Sequence, residues 1–359
     1  MTPESMERPY DLDFDGIFKV RLERGSFPFL EKKLSIWESS FEHPDLTVSK
    51  GEVSNEAFPM SSHQNDAEAD GLVSEKGYQI IHKNSIYEIE SDRITCKGSV
   101  LELYLEYMVI MPVINRMITQ QGNFLAHAAG VSVNGGVLIL PGISGTGKTS
   151  VMLELLSRGA AYMGNNNVFI NRSGRCTLYS PWISFPERNA RLFPELMVRL
   201  FPSSKERRRH EKRLSFYQMG MSLNGRNFVS RYLKSNLVSR FFDTPYATYD
   251  EMFPGCKAKK SGTVTHAFFL ERRRADPRIV KAGPEEIAKL ATMSDWIADG
   301  NSHNVLAELA GLRFCTRNDI NELFTDFFGH AECYRIRIPA NETRKGIKET
   351  ADMIEDIVS

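Results

Sequence analysis

Across 359 residues, lysine plus arginine equals aspartate plus glutamate at 45 each, so the formal net charge is zero. A balanced charge gives no general pull toward nucleic acid or an anionic membrane, and an apolar share of 42% is that of an ordinary globular protein. The cysteines Cys96, Cys176, Cys256, Cys315 and Cys333 are scattered without a C-x-x-C pair, which argues against a disulfide framework or a structural zinc site and for reduced thiols in the cytoplasm.

Met1 to Asp15 carries several acids and lacks the apolar core of a secretory signal. Ile17 to Leu22 alternates and predicts a strand. From Gly51 to Gly77 the composition turns polar and predicts a loop or linker. Tyr78 to His82 and Ser85 to Glu90 flank Lys83-Asn84, a tight-turn pair, and Arg93 to Cys96 predicts a further strand. Residues 1–100 therefore read as a smaller α+β region. Leu101 to Gln120 is the most apolar stretch, but Glu102, Glu106, Pro112 and Arg116 interrupt it. Its longest apolar run, Tyr107 to Ile114, falls well short of the ~20 residues that span a bilayer, so it predicts a buried helix kinked at Pro112.

From Asn123 the pattern becomes α/β. Leu125 to Val133 reads as a strand, Asn134-Gly135-Gly136 as a tight turn, and Val137 to Leu140 as a fully apolar strand inside a buried sheet. Lys205 to Arg213 is a dense basic run, read first as a solvated helix face and second as a docking patch for phosphate or protein. Thr263 to Glu271 predicts a buried strand, Pro284 to Leu290 a helix entered through proline, and Cys333 to Ile338 an alternating strand. Glu342 to Val358 predicts a closing amphipathic helix with Ile347, Ala351, Ile354 and Ile357 on one face.

Gly142-Ile143-Ser144-Gly145-Thr146-Gly147-Lys148-Thr149 fits G-x-x-x-x-G-K-[ST] in full. Glycines let a backbone turn tightly and aim several N–H groups at one phosphate. An apolar strand ends directly before this loop. A helix follows, with Val151/Leu155 and Met152/Leu156 as i,i+4 pairs and Gly159 as its stop. That order puts a helix N-terminus at the anion. Gly142, Ser144, Gly145, Thr146, Gly147, Lys148, Thr149 and Ser150 are the expected phosphate contacts. Lys148 is expected to reach the β- and γ-phosphates and the Thr149 hydroxyl to meet Mg²⁺.

The segment from Ala126 to Ile170 resembles the core of the HPr kinase/phosphorylase-like family: a histidine before a strand hairpin, the P-loop, a helix ending in Arg-Gly, then a strand leading to two acids. His127, Gly142 to Thr149 and Arg158-Gly159 match in order and spacing. His266 to Arg272 and the closing segment from Cys333 also resemble the family, so the likeness spans residues 100 to 359 and leaves the first hundred unaccounted for. It implies an α/β domain like that of phosphoenolpyruvate carboxykinases, with a mixed central sheet. It also implies ATP, Mg²⁺ and transfer of the γ-phosphoryl group to a hydroxyl on a protein, peptide or small molecule. The arginine- and glycine-rich segment of enzymes acting on HPr is missing, so HPr is not the expected acceptor. HPr kinases proper form hexamers, which leaves a homo-oligomer open here. Arg188 and Arg191 follow Pro186, where related kinases often place a substrate arginine.

Where the family carries two consecutive aspartates, this chain has Asn165 and Asn166, then Asn167. Asparagine keeps the shape but accepts no proton at neutral pH and is a weaker partner for a hard cation. Losing a general base costs about 10²–10⁴-fold in rate. Glu187, Asp243 and Asp250 are the acids available as substitutes, although surface or capping roles are commoner for such residues. The asparagines also suit a plain bulge or turn between strands, and a lone histidine such as His127 is commonly a satisfied core residue. The leading expectation is thus a kinase working through His127, Lys148, Asn165 and Asn166. The alternative is a nucleotide sensor or pseudokinase whose occupancy a partner reads.

Overall fold

Residues 9–53, 57–59, 69–74, 78–82, 85–100, 102–143, 145–209, 212, 246–273, 278–298, 317–339 and 343–359 are described by a computed structural model. The N-terminal region is built by period-2 alternation. Leu12, Val20, Leu22, Leu46, Val48, Ile94 and Cys96 are all buried, with more polar neighbours between them. Its strands are β1 (Tyr10–Asp13), β2 (Lys19–Leu22), β3 (Glu38–Ser39), β4 (Leu46–Lys50), β5 (Ala57–Pro59), β6 (Ala69–Ser74), β7 (Tyr78–His82), β8 (Ser85–Ile89) and β9 (Arg93–Gly98). They form one sheet in the order β3-β1-β2-β4-β9-β8-β7-β6-β5, parallel only at β2–β4 and β4–β9. Helix α1 (Pro28–Leu34), entered through proline, buries Leu30, Lys33 and Leu34.

The expected polar linker at 51–77 is corrected in its described parts, because β5 and β6 lie within it and extend the sheet through β7. Neighbouring strands supply backbone hydrogen bonds there that composition does not reveal. The Lys83-Asn84 turn lies outside the described residues, but the strands on either side pair antiparallel from Tyr78↔Ile89 to His82↔Ser85.

The apolar stretch after β9 is helical from Glu102 to Thr119, interrupted by a π-helical turn at Leu105–Ile110 before α2 (Met111–Thr119). Pro112 explains the irregularity. It has no N–H to donate, and its ring crowds the carbonyl four residues back, so the preceding turn widens.

The second sheet contains β10 (Asn123–Ala126), β11 (Ala128–Val133), β12 (Gly136–Pro141), β13 (Ala161–Gly164), β14 (Val168–Asn171) and β15 (Arg175–Leu178), with β16 (Trp182–Ser184) and β17 (Tyr246–Thr248) forming a separate ribbon. Its order is β10-β14-β15-β18-β12-β11-β13, where β18 is Ser261–Arg273. β19 (Arg278–Ala282) and β20 (Glu332–Pro339) continue from the far part of β18. β12, β18 and β20 run parallel, and β11 runs against β12. The fold is therefore mixed α/β.

Helices cover both faces, and β12 shows why its sequence is apolar throughout. Leu138 and Leu140 enter one core with α3 (Lys148–Ser157) and α8 (Arg344–Val358). Val137 and Ile139 enter another with α6 (Pro284–Ala298) and α7 (Arg317–Phe328). On α8, Ile347, Ala351 and Ile354 are buried as expected, and Ile357 is half-buried. Two shorter helices, α4 (Glu187–Leu192) and α5 (Pro194–Leu200), lie between β16 and the basic run. The described part of that run is mostly exposed helix, as the solvated reading expects.

One core joins the two sheets. Phe14 stacks on Tyr179 with centroids 5.7 Å apart and lies 5.4 Å from Phe169, while the Trp37 indole N–H donates to the Tyr179 carbonyl at 3.1 Å. Among the described residues, no helix is long and apolar enough to cross a membrane.

Candidate phosphate-binding site

The β11–β12 hairpin turns at Asn134 and Gly135, both with positive φ (50° and 85°), so the Asn-Gly signal makes the tight turn it predicts. β12 then ends at Pro141 beside β18, at the carboxyl ends of two parallel strands. Open α/β sheets bind ligands at such an edge. Gly142 has φ 154°, and a Cβ there would sit 2.9 Å from the Leu270 carbonyl oxygen and 3.0 Å from Thr146 Oγ1. Gly142→Ala is therefore expected to deform the loop and weaken nucleotide affinity by about tenfold or more, as a titration of folded protein would measure.

Gly147, with φ 107°, precedes α3 as its N-cap residue and provides no side-chain cap. The N–H groups of the first turn have no acceptor within the helix, and the positive end of the macrodipole lies there. The Thr146 N–H and hydroxyl both close onto the Ile143 carbonyl, at 3.2 and 2.8 Å. Lys148, only 6% exposed, folds back so that Nζ donates to the carbonyls of Gly142 and, at 3.3 Å, Ile143. The Gly145 carbonyl accepts from Arg188 Nη1 and Arg272 Nε, each at 2.8 Å. The loop thus turns carbonyls toward three cationic side chains. Ser144 lies outside the described residues.

The remaining expected residues divide. The Thr149 hydroxyl donates to Asn165 Oδ1 at 2.9 Å. The Ser150 hydroxyl is fully buried and turned to Asn189 Oδ1 at 3.0 Å, so its side chain serves the interior. His127 is half-buried and directly precedes β11, whose Ala128 pairs with Pro141, the residue before Gly142. Asp250 caps locally by accepting the Gly255 N–H at 3.1 Å. Glu187 opens α4, and Asp243 lies outside the described residues. Arg191 is exposed.

Asn165, Asn166 and Asn167 join β13 to β14, with Asn166 in the left-handed region at φ 69°. Asparagine tolerates that conformation far better than β-branched residues do. The run is thus both a turn and part of the candidate site. Asn165 meets Thr149, the Asn166 side chain is near enough to the Tyr107 hydroxyl to lower its pKa slightly against the effect of burial, and Asn167 Nδ2 lies 3.8 Å from Met111 Sδ. Tyr107 lies within the widened turn before Pro112, and Met111 directly follows it. Burial pushes the Tyr107 hydroxyl far above its ordinary range, with Glu106 adding to the shift, so it stays a neutral phenol. Burial raises Tyr179 and Tyr246 as well.

Sequence reasoning missed Arg272, Asn189 and the Tyr107 contact. Arg272 had a signal: it lies just past an apolar run, at the carboxyl end of a buried strand. The other two depend on partners 39 and 59 residues away in the chain, at Ser150 and Asn166, which periodicity does not reach.

The oxygens available to Mg²⁺ at this turn are Thr149 Oγ1 and Asn165 Oδ1, both neutral and already bonded to each other. Mg²⁺ favours carboxylate and phosphate oxygens. Among the described residues no group of three or more His, Cys, Asp or Glu side chains could hold a metal ion. This donor set does not fit an ion gripped by the protein itself.

No protein-family model matches the sequence, and no curated protein matches it.

Proposed function

We propose that the chain binds ATP on Gly142 to Thr149 and transfers its γ-phosphoryl group to a serine-like hydroxyl of a protein, peptide or small molecule, as an HPr-kinase-like domain with a phosphoenolpyruvate-carboxykinase-like sheet. One observation carries this reading: a glycine loop at the end of a buried parallel strand leads into α3 with Lys148 folded over it. That arrangement supplies backbone donors, a helix dipole and a mobile cation for a phosphate chain. Phosphoryl transfer depends mainly on positioning and charge stabilisation, so it tolerates a weak proton acceptor better than most reactions do. His127 and the turn at Asn165 and Asn166 border the loop where an acceptor would enter. The described cysteines are unpaired, which supports a reducing, cytoplasmic setting.

A second reading, a nucleotide sensor without efficient chemistry, is favoured by the asparagines. Asn165 is hydrogen-bonded to Thr149, and neither Asn165 nor Asn166 can take a proton from a hydroxyl. ATP carrying a γ-phosphate label, added to the protein with extract from its source cells, separates the two. Label in a protein or metabolite, absent with Lys148→Ala, is the result a kinase gives. Binding that changes proteolytic sensitivity without label transfer is the result a sensor gives. Without binding, both readings fail.

A further inference from the structure

We infer that this site neutralises a nucleoside polyphosphate with arginine rather than with magnesium, so that Arg188, Arg272 and Lys148 hold the nucleotide whether or not a divalent cation accompanies it. The inference rests on the nucleotide-binding reading above and specifies how that site works.

The first observation is a convergence of charge. Arg188 comes from α4 and Arg272 from the end of β18, yet both donate to the one carbonyl of Gly145 at 2.8 Å. Their donor nitrogens are therefore no more than twice that distance apart. Lys148 Nζ rests on the carbonyls of Gly142 and Ile143 in the same loop. Two guanidinium groups bring the same charge as one divalent cation, and each presents a fork of donors suited to phosphate oxygens.

The second observation is the chemistry of the turn beside Thr149. Asn165 is 5% exposed, and its Nδ2 has no hydrogen-bond partner among the described residues. Buried amide donors call for acceptor oxygens, not for a cation. The oxygens that would ligate a metal are neutral, with an amide donor beside them, while the Gly145 carbonyl of the same loop draws two guanidinium groups. Both features favour a bare polyphosphate.

Calorimetric titration of the full chain with ATP, in excess chelator and in excess Mg²⁺, tests this. Wild-type affinities are expected to agree within about threefold. Arg188→Gln and Arg272→Gln should each lower affinity in chelator by about tenfold, the worth of one charge-assisted contact. Asn165→Asp should weaken binding in chelator and regain it with Mg²⁺, because a carboxylate repels bare phosphate and attracts the metal. Thermal melts establish that each variant is folded. Wild-type binding that requires Mg²⁺, or arginine variants that bind as wild type does in chelator, overturns this inference and leaves the nucleotide site standing. No binding of ATP in either buffer overturns both.

Discussion

Lys148→Ala is expected to reduce ATP affinity by about a hundredfold or more while leaving the protein folded. The magnitude follows from what the side chain is placed to do. An ammonium group meeting phosphate oxygens makes charge-assisted hydrogen bonds of about 1.5–3 kcal/mol each, and two such bonds exceed the ~2.7 kcal/mol that a hundredfold represents. Nζ need only exchange the carbonyls of Gly142 and Ile143 for the phosphate chain, a short movement within the same loop. Stability should change little, because the mutation removes a desolvated charge along with its contacts. Those two losses oppose each other, although of the freed carbonyls only that of Ile143 belongs to a half-buried residue, while Gly142 is buried. Calorimetry gives the affinity, and a thermal melt gives the fold. A variant that binds ATP as tightly as wild type would show that the loop is a glycine turn with no phosphate in its history.

The loop was legible because its grammar is local. Strand, glycines, lysine and helix follow one another within about twenty residues, and each is placed by its own propensity. The β11–β12 turn was legible for the same reason, since Asn134 and Gly135 suit positive φ. The strands at Ala57–Pro59 and Ala69–Ser74 were not, because in a polar stretch the ladder hydrogen bonds come from a neighbour rather than from the residues themselves. Pro112 announced a disturbed helix, but not that the disturbance would be a widened turn containing Tyr107. The asparagine run offered two readings, turn or site; the structure shows the turn, with Asn166 in the left-handed region and Asn165 hydrogen-bonded to Thr149. Least legible of all was Lys33. In Pro-Phe-Leu-Glu-Lys-Lys-Leu it looks like any solvated helix lysine, and its partner stands 73 residues further along.

That partner provides the largest expected loss of stability. Glu106 is fully buried and accepts from Lys33 Nζ on both oxygens, at 2.8 and 2.7 Å, and from the Tyr179 hydroxyl at 3.0 Å. Lys33, 2% exposed, also lies over the rings of Tyr107 and Tyr246, at 4.9 and 5.3 Å. Glu106→Gln preserves the volume but leaves the lysine charge buried without its counterion, a change expected to cost about 3–5 kcal/mol. Urea denaturation would read the loss directly, and a cost under about 1 kcal/mol would show that the pair is solvated or dispensable. The double variant Lys33→Met/Glu106→Leu removes both charges and should recover most of the stability, since apolar residues of similar volume often replace a buried pair without penalty. The double variant also separates fold from function. Lys33 lies 3.5 Å from the Tyr107 hydroxyl, and the Asn166 side chain is near enough to that hydroxyl to affect its pKa. If stability returns and ATP affinity is unchanged, the pair serves only to join α1 to the turn at Leu105–Ile110. If stability returns but affinity falls, the charge pair acts on the nucleotide loop through the helical turn that carries Tyr107.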